Sequence, residues 1–221
     1  MLVARSQWLR LGWRRPLVAL REQSEAVASA FDYDICVIGA GPSGYAAAVR
    51  GTDFGKRVCL VERSLVGGTG VYNGAMSSKM MWKMARDHQF ALQLSTSQND
   101  SIHQRHYRDV VERVIEGTGR KNQQFKSQLD ELRRLGASPN EKGGSVQLVA
   151  GAAKFVSPHE IEVNGPGEKS MRISASHFVI ATGSSPREPT TPPLDGFRVM
   201  TSEHLLNLKH FPKSILIIGA G

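Results

Sequence analysis

The chain has 221 residues, 40% of them apolar, with a net charge of +8. That length allows one full core, or one core and part of a second, and no apolar run nears the roughly 18–20 residues that cross a bilayer. Residues 1–30 carry five arginines against two glutamates, leaving +5 for the rest, an ordinary surface balance that excludes a nucleic-acid footprint.

Residues 1–30 read as a basic leader. Arg5, Arg10, Arg14, Arg15 and Arg21 all precede the first acid, Glu22, and are interspersed with Leu2, Trp8, Leu9, Leu11, Trp13 and Leu17. This Arg-rich, acid-free composition suits a mitochondrial targeting segment and predicts a matrix location. The alternative is a disordered basic tail on a cytoplasmic protein, since Pro16 interrupts the helix. Two cysteines, Cys36 and Cys59, lie in strand-like apolar runs and read as core packing, forming neither a metal site nor a close-spaced redox pair.

YDICVI (33–38) predicts a strand buried on both faces, followed at once by GAGPSG, an Ala-rich helix ending near Gly55, and a second buried strand, KRVCLVE (56–62). Such a strand–turn–helix–strand unit has the size of a parallel crossover. SSKMMWKMARDHQFALQL predicts a helix with serines placed to cap its start. Residues 95–104 read as a polar loop. A longer helical zone then carries Tyr107, Val110, Val111, Val114, Ile115, Phe125, Leu129, Leu132 and Leu135 at 3–4 spacing, weakened in its middle by Gly117 and Gly119. PNEKGG (139–144) ends it. Five short strands are expected next, VQLVAG, AAKFVS, HEIEV, MRIS and HFVIATG, then a Pro-rich connector (184–196) and a last strand in SILIIGAG (214–221).

Gly39-x-Gly41-x-x-Gly44 after a strand and before a helix is a dinucleotide fingerprint. Gly39 permits the tight turn, Gly41 admits a pyrophosphate to the backbone, and Gly44 lets helix and strand pack closely. Glu62 ends the second strand, where a carboxylate can accept hydrogen bonds from a ribose diol. An acid there disfavours a 2′-phosphate, so FAD or NAD fits better than NADP. The plainer alternative is a tight strand–helix turn beside a solvent-facing Glu62.

GAGPSG, Glu62, the Gly67-Gly68-Thr69 to Lys79 frame, Ala181-Thr182-Gly183 and a second IIGAG at 217–221 follow one another in this order. The order resembles the flavoprotein pyridine nucleotide–disulfide oxidoreductases, which include dihydrolipoamide dehydrogenase, glutathione reductase and soluble pyridine nucleotide transhydrogenase. The resemblance covers about 33–221. It implies an α/β fold: a Rossmann-like FAD-binding domain (31–196) with a parallel sheet, helices and a small antiparallel β-meander. Residues 197–221 would then be a linker and the first strand of an incomplete NAD(P)-binding domain.

The resemblance also implies FAD as cofactor. Gly39, Gly41, Pro42, Ser43 and Gly44 would hold its pyrophosphate, and Glu62, with Arg63 beside it, the adenosine ribose. Gly68 and Thr69 would line the flavin side. Lys79 would stand near the ring, where a cation favours reduced flavin; otherwise it is a solvated residue of the first helical turn. Ala153 matches a backbone contact on the adenine side, and Thr182, Gly183 and Ser184 a second flavin motif. Gly219 and Gly221 would open an NAD(P)H fingerprint if the chain continues, with a homodimer expected at full length. Partners would be a nicotinamide nucleotide and an unidentified electron acceptor. The histidines, His159 and His177 among them, match no family role and read as surface or structural groups.

The family's disulfide reductases read G-G-T-C-x4-C-x-x-S-K in that frame. Here Gly70 and Ala75 stand at the cysteine positions and Ser77 at the usual proline, so no catalytic residue is assigned and a dithiol route is excluded. AAKFVSPHEIEV and HFVIATGSSP look closest to the transhydrogenases, which pass hydride from one nicotinamide through FAD to another. The expectation is an FAD-dependent NAD(P)H oxidoreductase without the redox disulfide. The alternatives are a non-catalytic or truncated dihydrolipoamide dehydrogenase-like module and, less compatible with the later motifs, a simple NAD-binding dehydrogenase.

Overall fold

Six largely apolar residues, Tyr33–Ile38, form strand β1, and the last three are buried. They begin a computed structural model that describes residues 30–94, 106–136, 144–165, 167 and 170–219. Helix α1 (Pro42–Asp53) follows, with proline in its first turn where the missing N–H costs nothing. Strand β2 (Arg57–Glu62), the short helix α2 (Gly68–Tyr72) and the helices α3 (Ala75–Leu94) and α4 (Tyr107–Gly136) complete the first half. Strands β3 (Ser145–Ala150), β4 (Ala152–Ser157), β5 (Glu160–Asn164) and β6 (Ser170–Ile180) follow, then one 3-10 turn, Ser202–Asn207.

The six strands form one sheet in the order β3-β2-β1-β6-β5-β4. The first four run parallel, and β6, β5 and β4 make an antiparallel meander. One sheet face buries Val37, Val58, Leu60 and Val146 against Ala48 of α1 and Leu129 of α4. The other carries Cys36, Ile38, Cys59 and Val61, covered by Ile161, Val163 and Ile173 of the meander. A sheet buried on both faces requires the near-continuous apolar runs that made β1 and β2 legible. This is the expected mixed α/β architecture, consistent with a Rossmann-like flavin domain.

Two expectations are corrected and one is sharpened. MRIS and HFVIATG are not two strands but one, because β6 changes partners midway: Ser170–Ser174 pair with β5, and Ala175–Ile180 belong to the stretch beside β1. Gly117 and Gly119, which lower helix propensity as expected, still lie inside one helix, since α4 runs unbroken for 30 residues. Gly117 is buried where a Cβ would strike the Met80 side chain, so its missing methyl admits α3, whereas Gly119 faces open space. Finally, Ser77 and Ser78 do not cap α3, which starts two residues earlier. Their hydroxyls donate back to the carbonyls of Gly74 (3.1 Å) and Ala75 (3.2 Å) from inside the first turn.

Residues 214–219 form no strand among the described residues, and Ile215, Leu216, Ile217 and Ile218 are exposed, because an isolated apolar segment has no neighbour to pair with. Residues 1–29 of the basic leader, the polar loop at 95–104 and most of PNEKGG lie outside the described residues, as does Gly221. No described helix is long and apolar enough to cross a membrane.

Candidate functional site

Three loops leave the C-terminal ends of β1, β2 and β6 and are tied to one another through main-chain groups. Gly39 N donates to Val61 O, Ala181 N to Ile38 O and Gly67 N to Ala40 O, each at 2.8 Å. In the strand order, β1 lies between β2, which follows it by a short crossover, and β6, which returns from far along the chain. That is the topological switch point where open α/β sheets hold ligands.

The glycines of the first loop have separable jobs. Gly39 has φ +100°, and a Cβ there would meet the Ala181 carbonyl; a Cβ on Gly44 would meet the Gly39 carbonyl. Both are demanded by packing. Gly41 is different: nothing lies within 4 Å of its missing Cβ, so its place faces open space. It is also the N-cap of α1, and no side chain caps that helix. An uncapped helix start with backbone open on one side is suited to phosphate oxygens. The cradle therefore fits a dinucleotide pyrophosphate. Pro42 and Ser43, in the first turn, are exposed beside it.

The second loop closes onto the first. Gly67 (φ +110°) and Gly68 (φ +51°) adopt conformations that side chains disfavour, and a Cβ on Gly68 would lie 3.0 Å from Gly41 Cα. Thr69 is exposed in α2 next to them. Gly70 packs flat on the fingerprint proline, a Cβ there falling 2.5 Å from Pro42 Cγ. Ala75 opens α3 and is exposed.

Glu62, half-buried at the end of β2, is anchored by both oxygens: Oε2 accepts from Ala40 N at 2.6 Å and Oε1 from Ser64 N at 2.8 Å. A carboxylate oxygen has a second lone pair, so the anchored group is aimed and still able to accept from a hydroxyl. Arg63 beside it is exposed. Ala153 lies on β4, the sheet edge, with its side chain against the meander core. The turn before it joins the site through Gly151 N, which donates to Glu62 O at 2.9 Å. Thr182, Gly183 (φ +71°) and Ser184 form exposed coil after β6, next to the Ala181 contact. Lys79 is exposed in an open groove along α3, with Trp82, Lys83 and Arg86, and takes no part in the hydrogen bonds joining the loops.

The thiols are elsewhere. Cys36 and Cys59 sit side by side in register on β1 and β2, fully buried. The hydrogen bond with Cys36, together with burial, pushes the Cys59 thiol far above its ordinary range, so it stays protonated and inert. His159 is used structurally, its Nδ1 3.2 Å from Ala175 O and its ring 5.0 Å from that of Phe31. Among the described residues no cluster of His, Cys, Asp or Glu is placed to hold a metal.

Several supporting residues on α4 had no motif to reveal them. Asn122 is buried and donates from Nδ2 to Val66 O at 2.8 Å. Gln128 accepts from the Tyr45 hydroxyl at 2.7 Å, and Phe125 stacks on Tyr45 with centroids 4.3 Å apart. The available signal was a polar Asn interrupting the helical stripe Val114, Thr118, Phe125, Leu129.

With this geometry in hand, the chain can be placed among known proteins. Residues 33–221 match the family described as pyridine nucleotide-disulphide oxidoreductase. The chain belongs to that family. Its members are flavoproteins that bind FAD and use NAD(P)H. Relatives include a mercuric reductase of Lysinibacillus sphaericus, 31% identical over 86% of this chain and 32% of the relative. The mitochondrial dihydrolipoyl dehydrogenase of Schizosaccharomyces pombe is 30% identical over 86% of this chain and 36% of its own length. A soluble pyridine nucleotide transhydrogenase of Colwellia psychrerythraea is 31% identical over 86% and 39%. The HOCl-induced flavoprotein disulfide reductase RclA of Escherichia coli shares the fold with a TM-score of 0.58 at 23% identity, over 80% of this chain and 34% of that one. The family member thus spans about a third of the length of these relatives.

Proposed function

We propose that this chain is the flavin-binding part of an FAD-dependent NAD(P)H oxidoreductase that works without a redox disulfide, most like a transhydrogenase. The carrying observation is the cradle itself: three loops joined at the switch point, an open Gly41 at the uncapped start of α1, and Glu62 anchored beside them. A bound FAD supplies a two-electron relay between a nicotinamide nucleotide and a second acceptor. This chain's share is binding and orientation. Gly39, Gly41, Ser43 and Gly44 present backbone to the pyrophosphate, Glu62 receives the ribose hydroxyls with Arg63 alongside, and Ala153 offers main chain on the adenine side. Gly68, Thr69, Thr182, Gly183 and Ser184 border the flavin side, and Lys79 supplies a cation toward the ring.

The lack of a disulfide rests on Gly70 and Ala75, and the packing of Gly70 on Pro42 supports it, since the room a side chain would take is closed. The buried Cys36 and Cys59 are on the sheet, remote in role from these loops. The same packing is compatible with a second reading, a non-catalytic flavin-binding or structural module. In the whole protein we place the nicotinamide site beyond 197, a homodimer, and a mitochondrial matrix location directed by residues 1–30.

Titrating the purified protein with FAD, followed by flavin absorbance and fluorescence, tests the cradle. Adding NADH or NADPH to the flavin-loaded whole protein then separates the two readings: loss of the flavin's visible absorbance is expected of any flavin reduced by nicotinamide. Flavin bound but never bleached leaves the flavin-binding module, and no flavin bound leaves only the structural one.

A further inference from the structure

We propose that Asn122 is a positioning residue for the cofactor cradle, acting through the Val66–Gly67 peptide rather than by touching the cofactor. The inference rests on the flavin-cradle reading and goes one layer beneath it. Gly67 and Gly68 both have positive φ. A glycine pair has several backbone wells of similar energy, so the chain alone does not choose the orientation of the peptide leading into it. Something outside the loop has to.

That peptide is held at both ends. Its carbonyl, on Val66, accepts from Asn122 Nδ2 at 2.8 Å, and its N–H, on Gly67, donates to Ala40 O at 2.8 Å. Ala40 then passes the constraint on, its own N–H donating to Glu62 Oε2 at 2.6 Å while Glu62 Oε1 accepts from Ser64 N at 2.8 Å. One hydrogen-bonded chain therefore runs from α4 through the Gly67–Gly68 loop and the fingerprint loop to the carboxylate at the end of β2. Its origin is a buried side chain in the middle of a 30-residue helix, and Phe125 and Gln128 further along that helix clasp Tyr45 of α1. Only the donor end of the Asn122 amide can pair with a carbonyl, so the chain has a direction and a chemical requirement: position 122 must donate.

Amide hydrogen exchange on the flavin-free 221-residue protein and fluorescence titration with FAD test this together. In Asn122→Leu the protection factor of the Gly67 amide should fall about tenfold, with those of β1 and β2 retained, as in a local opening. The FAD dissociation constant should rise on the order of tenfold, the loss of one buried hydrogen bond's worth of preorganisation. Asn122→Asp supplies the chemical control, and replaces the leucine variant if that does not fold. It should resemble the leucine variant at pH 8, where a carboxylate cannot donate, and recover toward wild type at pH 5, where a buried carboxyl facing a carbonyl is protonated and can. Unchanged Gly67 protection in Asn122→Leu overturns the proposal. So does protection lost equally across β1 and β2, which would make Asn122 an ordinary core contact, or an Asn122→Asp variant that ignores pH. If the wild-type protein binds no FAD, the flavin reading fails by itself, and the exchange measurements still decide whether Asn122 holds the loop.

Discussion

At the scale of single residues, the fingerprint glycines divide into those that build the loop and one that leaves room beside it. Gly44→Ala puts a methyl group into the Gly39 carbonyl, so it should cost both folding stability and flavin binding. Overpacking against backbone is typically worth about 1–3 kcal/mol, readable as a lowered midpoint in urea. Gly41→Ala meets nothing within 4 Å, so its urea midpoint should match wild type while FAD affinity falls at least tenfold on flavin titration. Equal losses in the two variants would mean that the space at Gly41 is not where the pyrophosphate goes. The cysteines make the opposite case, chemistry available by residue type but withheld by position. Cys36 and Cys59 are fully buried, and the Cys59 thiol is held protonated, so neither should react with a thiol reagent at pH 8 until denaturant is added. The turn of Gly39, Gly41 and Gly44 was legible because a tight strand–helix turn with close packing at its base needs glycine at fixed spacing, and Glu62 because it closes an apolar strand. Asn122 was not, because its partner is a main-chain carbonyl 56 residues away, and nothing local in sequence encodes a contact of that range.

At the scale of elements, β1 and β2 were legible to within a residue because strands buried on both faces need unbroken apolar runs. β6 was misread as two strands because its polar centre, Ser174 to Ser176, looks like a turn. In the sheet that centre is where an antiparallel neighbour gives way to a parallel one, a fact about its partners and not about itself. Helix α4 carries a similar lesson in its two glycines. Both lower helix propensity equally, yet only Gly117 is repaid by packing, with Met80 occupying the place of its methyl. Gly119 is exposed with nothing near it, so Gly119→Ala should raise stability by about 0.5–1 kcal/mol, the helix-propensity difference. Gly117→Ala should gain nothing comparable, because the same propensity gain is offset by displacing Met80. Chemical denaturation of both variants checks the pair, and an equal gain from each would show that the α3–α4 contact is looser than the packing indicates.

For the whole molecule, the decisive seam is where the parallel sheet becomes the meander, since both layers of core and the Ala181 end of the cradle depend on β6. Asp32, just before β1, fastens that seam. Its main-chain N–H donates to Ser174 Oγ at 3.0 Å, and its carboxylate accepts from Ser174 N at 2.9 Å and Ser174 Oγ at 2.7 Å. The bonds from the Ser174 backbone and hydroxyl, aided by the Arg57 charge, hold the Asp32 carboxyl below its ordinary 3.8. A carboxyl depressed on folding stabilises the fold above its unfolded pKa, and that contribution drains away as pH falls through the lower folded value. The seam should therefore be at full strength at neutral pH and weaken progressively below about pH 4. Asp195, which collects the amides of Phe197, Arg198 and Val199, is depressed in the same direction and will add to the slope. Ser174→Ala separates the two, because it removes the hydroxyl bond to Asp32 and leaves Asp195 untouched. Urea midpoints between pH 6 and pH 3 should then fall less steeply with acid in Ser174→Ala than in wild type, the two curves converging at the acid end. Parallel curves would place the acid sensitivity elsewhere and leave the seam held by apolar packing of Ile173 and Ala175 alone.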